Sequence, residues 1–142
     1  MQDNDAEFRE LVQSFSDRHA LAFETRTEPG VDALVVFPHT AGGLSFDLVI
    51  CLQNEHVTLE FGGFRGFFAT GGANWNDLAD RLDQIVTGAC RVRVHHQFGR
   101  VHKRVLEHRD DTVWRPVYTH YSAIRLPFVP DRISYLSNAP EQ

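Results

Sequence analysis

The chain has 142 residues, a length that favours a single domain. Its hydrophobic content of 42% and charged content of 23% are typical of globular proteins and exclude a wholly disordered chain. The formal net charge of −5 argues against general binding to nucleic acids, whose phosphates attract basic surfaces. We expect one domain over residues 1–142, with flexible ends at residues 1–4 and 138–142.

The distribution of charge and the cysteine content further limit the kind of protein that the sequence predicts. Residues 1–32 contain eight acidic and three basic residues, whereas residues 91–109 contain six basic residues and one acidic residue. Thirteen of the fourteen Lys and Arg residues are Arg, a bias that favours a GC-rich, bacterial source. Cys51 and Cys90 are too few for a disulfide framework, and no apolar run approaches the roughly 18 residues of a membrane span. We therefore expect a cytoplasmic protein that is not bound to membranes.

The first predicted element is an amphipathic helix of about five turns, which ends before Glu28-Pro29-Gly30. Its acidic first turns suit the positive end of a helix dipole. The apolar face of this helix consists of Phe8, Leu11, Val12, Phe15, His19, Ala22 and Phe23.

Four strands are predicted to follow, because apolar residues then form a continuous run or alternate with polar ones. Gly62-Gly63 is the type of two-residue loop that closes a tight hairpin. The connections are too short for parallel crossovers, so the strands are expected to be antiparallel. The predicted strands are Val31–Phe37, Leu44–Gln53, His56–Phe61 and Phe64–Thr70.

A second helix is predicted from about Asn74 to Thr87, where Gly88 ends it. Further strands are expected over Cys90–Phe98, Val101–Glu107 and Thr112–Tyr121, with short edge strands over Ile124–Phe128 and Ile133–Leu136. The order α-ββββ-α-ββββ predicts a two-layer α+β domain. We expect one twisted antiparallel sheet of about seven or eight strands, with both helices packed on one face.

The hairpin that begins at Cys90 holds the most unusual feature of the chain, because five of the eight histidines lie between residues 91 and 120. With Gly99-Arg100 as its loop, one face of the hairpin is mostly apolar and the other is basic. We interpret the basic face as a partner-binding surface. The alternative is an ordinary solvated sheet face that happens to be basic. The residues of this surface are Arg91, Arg93, His95, His102 and Arg104.

The same register turns His96 towards the apolar side, and His120 falls on an apolar-leaning position of the next predicted strand. Near Trp114 and Tyr118 they are candidate walls of a small-molecule pocket, or candidate general acids or bases. The alternative is a pair of hydrogen-bonded core histidines. No serine or cysteine lies in a recognisable nucleophile motif, and both cysteines are expected to be inert core thiols.

A metal site is not predicted, and no other cofactor is expected. His95 and His102 lie diagonally across the hairpin and approach each other, but a third ligand is missing from the pattern. The loop over residues 70–74 lacks the P-loop spacing. The segment Phe61–Phe68 fits a core hairpin better than an aromatic platform for nucleic acids.

Three functional hypotheses remain, and the sequence alone does not choose between them. The first is a small cytoplasmic, non-enzymatic binding protein of the immunity, chaperone or regulatory adaptor type. It would engage an acidic protein partner or its own copy through the basic face, with pH-dependent affinity from the histidines. The second is a small-molecule-binding protein or enzyme that uses the histidine and aromatic pocket. Nucleic-acid binding is a weaker third hypothesis.

Overall fold

The computed structural model describes residues 4–40 and 43–138. That part of the chain contains two helices and nine strands, and the strands form two antiparallel sheets. This confirms the predicted α+β class. The sequence suggested one sheet, whereas the strands divide into a sheet of five and a sheet of four. Alternating apolar residues define the faces of a strand. They do not determine which strands pair across an intervening helix.

The first helix, α1, runs from Asn4 to His19. It is shorter than predicted because Ala20 adopts a positive φ of 53°, which breaks the helical path. Phe8, Val12 and Phe15 are its buried apolar residues and point into the core. The start of α1 at Asn4 also shows that one residue of the expected flexible end is helical.

The first sheet follows chain order, β1-β2-β3-β4-β5. Gly62 and Gly63 form the turn between β4 and β5, with φ values of 54° and 80°. This agrees with the predicted hairpin and with the positive φ values that such turns require. The three-residue strand Glu24–Arg26 was not predicted. The strands are β1 (Glu24–Arg26), β2 (Ala33–Phe37), β3 (Leu48–Gln53), β4 (His56–Phe61) and β5 (Phe64–Ala69).

The second helix, α2, spans Ala73–Thr87, and Gly88 ends it in the left-handed conformation at φ 83°. Its buried residues Leu78, Leu82 and Ile85 join α1 and the first sheet in one hydrophobic core. Beyond the last strand, the amide of Asn138 donates to the carbonyl of Val86 at 2.9 Å. That contact anchors the first residue of the expected flexible C-terminal end, and residues 139–142 lie outside the described part.

The second sheet has the strand order β8-β7-β6-β9. Because β8 and β9 are its two edges, residues 122–131 connect one edge to the other. The predicted strand over Ile124–Phe128 is wrong, since this segment belongs to the connection and is irregular up to a turn at residues 127–128. Phe64 and Tyr118 join the two sheets edge to face, with ring centroids 5.6 Å apart. The strands are β6 (Cys90–Gln97), β7 (Arg100–Asp110), β8 (Val113–Tyr121) and β9 (Arg132–Leu136).

Candidate functional site

The register of the β6–β7 hairpin determines which side chains meet on the second sheet. The turn is Phe98-Gly99, one residue earlier than the predicted Gly99-Arg100 loop. His96 pairs with Val101 and His95 pairs with Lys103, so one residue of β7, His102, has no partner on β6. This is a β-bulge.

The bulge changes which residues of β7 share a face with Arg91 and Arg93. Beyond it, every β7 side chain lies on the opposite face from that expected for an unbroken ladder. Arg104 therefore leaves the face that carries Arg91 and Arg93, and Glu107 enters it. We call this surface, opposite the core residues Cys90 and Val92 of β6, the outer face.

Glu107 lies at the centre of the outer face and is only 2% exposed. Its carboxylate accepts hydrogen bonds from Arg91 Nε at 3.0 Å and Arg93 Nη1 at 2.8 Å. Glu107 thus forms ion pairs with both arginines although its own side chain is buried. A buried carboxylate needs such partners, because desolvation of an unpaired charge is costly.

Arg91 also lies between two aromatic rings. Its guanidinium carbon is 4.0 Å from the ring centroids of both Trp114 and Tyr135, which belong to β8 and β9. The planar guanidinium favours such contacts with aromatic faces. The Arg91 side chain is thus held by two rings and one carboxylate, in a single arrangement that involves strands on both sides of the hairpin.

A second group of polar residues lies further along the outer face, and we call it the His–Asp–His cluster: His95, Asp131 and His102. His95 Nδ1 is 2.9 Å from Asp131 Oδ2, and His102 Nε2 is 3.1 Å from Asp131 Oδ1. The two imidazole rings have centroids 5.9 Å apart. The approach of His95 to His102 was predicted, and Asp131 is the partner that sequence reasoning missed.

The cluster is well shielded, with His95 only 6% and His102 only 3% exposed. Both histidines therefore lie on the predicted face but do not offer the exposed charge that was expected of them. Burial lowers the pKa of His95; the hydrogen bond to Asp131 opposes this shift, whereas Lys103 and Arg93 add to it. His95 is consequently neutral at pH 7.

Neighbouring groups determine which ring nitrogen of His95 carries the proton and how low the pKa of Asp131 lies. Arg93 Nε donates to His95 Nε2 at 2.9 Å, so the proton of neutral His95 is on Nδ1 and points at Asp131. The hydrogen bond from His95 is the main cause that holds the pKa of Asp131 well below its usual range, although desolvation acts in the opposite direction. His102 and Arg125 add further donors to the same carboxylate.

Gln97 attaches the 122–131 connection to the end of the sheet. Its amide nitrogen donates to the carbonyls of Leu126 and Val129 at 3.1 and 3.0 Å, and its oxygen accepts from Leu126 N at 2.7 Å. It also donates to Asp131 Oδ1 at 3.1 Å. The connection therefore covers the His–Asp–His cluster, while its own residue Phe128 is fully exposed.

The four residues of the predicted pocket lie in different places. Trp114 contacts Arg91 on the outer face, and Tyr118 packs against Phe64 between the sheets. His96 Nε2 lies 2.9 Å from the hydroxyl of Ser134. They do not enclose a common cavity.

His120 lines a separate cavity of about 420 Å³ near the β4–β5 turn, with Asp47, Glu60 and Arg65. Its register partner on β7 is Arg104. His120 Nδ1 and Arg104 Nε are both buried and have no hydrogen-bond partner among the described residues. Arg104 therefore lies against Gly63 of the β4–β5 turn, on the side of the sheet opposite the outer face.

The two cysteines are free thiols, with Cys90 buried and Cys51 half-buried. Burial raises the pKa of both thiols.

In the described part of the chain, no helix combines the length and apolar character that crossing a membrane requires. Comparisons with protein-family models, with curated proteins and with solved structures found no match to this chain.

Proposed function

We propose that this chain is a protein-binding module that engages an acidic protein partner through the outer face of its second sheet. The observation that carries the proposal is the stack of Arg91 between Trp114 and Tyr135, at 4.0 Å from each ring. Arginine, tryptophan and tyrosine are the residue types that dominate binding energy at protein interfaces.

Exposed apolar surface surrounds this stack. Tyr135 is 53% exposed and Ile133, two residues earlier on the same edge strand, is 46% exposed. Exposed aromatic and aliphatic side chains beside a charged group are typical of the core of an interface. A partner that covers them gains the burial of apolar area together with contacts to the guanidinium.

The stack is also ordered before any partner arrives. Glu107 is buried and accepts from both Arg91 and Arg93, so it holds the Arg91 guanidinium between its two rings. Because ordering long side chains on binding costs about 0.5–1.5 kcal/mol each, this arrangement favours affinity. The arginine that contacts the partner has already lost that freedom in the folded chain.

Charge supports an acidic partner. Two arginines and one glutamate leave this part of the outer face with a net positive charge. Of the five residues in the sequence-based surface, Arg91 and Arg93 are half-buried and still reach the outer face, while His95 and His102 are covered and Arg104 lies elsewhere. The proposed binding surface therefore keeps Arg91 and Arg93 and adds Trp114, Ile133 and Tyr135 in place of the other three residues. It also keeps a cytoplasmic setting, which two free thiols support.

The test is affinity capture with the full chain, followed by binding measurements with the purified captured protein. Tyr135→Ala should lower the affinity about tenfold or more, because it removes one face of the stack. Phe67→Ala is the matched control, since Phe67 is a 60% exposed aromatic residue on the first sheet. Loss of binding in both variants, or in neither, would overturn the proposal.

Self-association is distinguished by sedimentation of the purified chain over a range of concentrations. A dimer that Tyr135→Ala dissociates would identify a second copy as the partner. A chain that stays monomeric and captures no protein dependent on Tyr135 would rule out the outer face as an interface.

A further inference from the structure

We infer that the His–Asp–His cluster is a binding site for a divalent transition-metal ion of the zinc class. The site does not depend on the proposed partner. One ligand atom from each of His95, His102 and Asp131 lies within 4.8 Å of the other two. These are the imidazole nitrogens and the carboxylate oxygen that zinc accepts as ligands.

The separations in the cluster are close to those of a tetrahedral site. Metal–ligand bonds of about 2.0–2.1 Å place neighbouring ligand atoms roughly 3.3 Å apart. His95 Nδ1 lies 2.9 Å from Asp131 Oδ2, and His102 Nε2 lies 3.1 Å from the other carboxylate oxygen, Oδ1. Rotation of the carboxylate and movement of the two rings would bring one oxygen and both nitrogens to the tetrahedral separations, and a water molecule would complete the coordination.

The fold holds these ligands in place. The two histidines lie close together because they belong to the two adjacent strands of the hairpin, and Gln97 fastens the connection that carries Asp131. A site made of two imidazoles and one carboxylate suits borderline ions such as Zn²⁺ and Fe²⁺. Mg²⁺ prefers oxygen ligands in octahedral geometry and should not bind.

Proton positions change when the ion binds, without any redox step. In the free cluster, His95 Nδ1–H donates to Asp131 and His95 Nε2 accepts from Arg93. Coordination through Nδ1 requires the ring proton to move to Nε2, which breaks the bond from Arg93 Nε. Arg93 retains its contact with Glu107 through Nη1. His102 likewise coordinates through Nε2 and carries its proton on Nδ1.

Nearby cations oppose the ion. Lys103 and Arg93 lie close enough to influence His95, and Arg125 Nε is 3.5 Å from Asp131 Oδ1. The side chain of Arg125 is 62% exposed, so it can be replaced without disturbing the core. Because it repels a cation at the site, Arg125→Gln should increase zinc affinity about threefold or more.

The experiment is calorimetric titration of the full-length chain with Zn²⁺, and with Mg²⁺ as the control ion. One Zn²⁺ should bind per chain, and His95→Ala should weaken it by more than about 100-fold, because loss of even an outer-shell partner costs 10–100-fold. His96→Ala is the matched control, since His96 is the adjacent histidine and bonds Ser134 on the other face. It should bind Zn²⁺ like the unmodified chain.

Circular dichroism of each variant separates loss of the site from loss of the fold. If His95→Ala fails to fold, Arg125→Gln still tests the site, because it is expected to strengthen binding. The inference is overturned if the unmodified chain binds no Zn²⁺, or if His96→Ala weakens binding as much as His95→Ala. Unchanged affinity in Arg125→Gln would also contradict it.

Discussion

The side chain of Leu136 lies directly against Gly62, in the space that a side chain at position 62 would occupy. Leu136 belongs to the last strand of the second sheet and Gly62 to the β4–β5 turn of the first. Together with the packing of Phe64 on Tyr118, this contact brings the two sheets together. The cavity beside His120 lies at this same turn.

Gly62→Ala should destabilise the fold by about 2–5 kcal/mol, measured by urea unfolding. About 1–2 kcal/mol comes from a positive φ in a residue with a Cβ atom, and about 1–3 kcal/mol from overpacking against Leu136. Gly99→Ala is the control, because Gly99 has a φ of 76° and open space around it. It should show the backbone cost alone, and equal losses in the two variants would contradict the steric argument.

Asp83 links the two helices, since its carboxylate contacts His19 Nε2 at 2.7 Å and Arg18 Nη2 at 2.9 Å. Partial burial raises the pKa of Asp83, but hydrogen bonds from His19 and Arg18 and their charges outweigh it, and the net pKa is lowered. A lowered pKa in the folded state stabilises the protein above the unfolded value of about 3.9. That contribution is lost as the pH falls through the lower folded pKa.

Asp83→Asn should therefore reduce the free energy of unfolding at pH 7 by about 0.5–1 kcal/mol, a modest value because Asp83 is partly exposed to solvent. The difference from the unmodified chain should shrink below about pH 4. Asp110→Asn removes a more exposed contact with Arg115 and should have no measurable effect. A constant difference from pH 7 to pH 3 would exclude the ionic contribution of Asp83.

Gln97→Ala should release the 122–131 connection from the sheet. The Leu126 amide loses its acceptor, so its hydrogen exchange should accelerate about tenfold, in line with a hydrogen bond worth about 1–2 kcal/mol. Gln53→Ala, at an exposed strand end, is the control and should leave that amide unchanged. Slow exchange of Leu126 in Gln97→Ala would show that other contacts hold the connection.

Much of the fold was predictable because it follows from local patterns. Alternation in β4 and β5, the Gly62-Gly63 turn and Gly88 at the end of α2 are properties of short segments. The end of α1 at His19 was not predictable in this way, since the apolar pattern continues through Phe23 while the backbone turns at Ala20. Packing of one sheet against the other depends on contacts between residues that are distant in sequence, such as that of Leu136 with Gly62.

The candidate site was only partly predictable for a similar reason. The approach of His95 to His102 follows from the hairpin alone. Asp131 belongs to the connection before β9, and its position depends on the pairing of β9 with β6. No sequence motif around Pro130 and Asp131 indicates that this carboxylate contacts the two histidines. The burial of both histidines depends on the same path, so the pattern of the hairpin could not show that two of the five predicted surface residues are covered.

The unpaired residue His102 makes the pairing of this hairpin insensitive to one deletion. If His102 were removed, Lys103 would follow Val101 directly, and the ladder with His96 and His95 would run unbroken. Arg104 and Glu107 would keep their partners Val94 and Arg91, and therefore their faces. The extra residue of β7 thus adds nothing to the ladder and contributes one imidazole to the His–Asp–His cluster, so its loss would remove a cluster residue while the two faces of the sheet kept their other side chains.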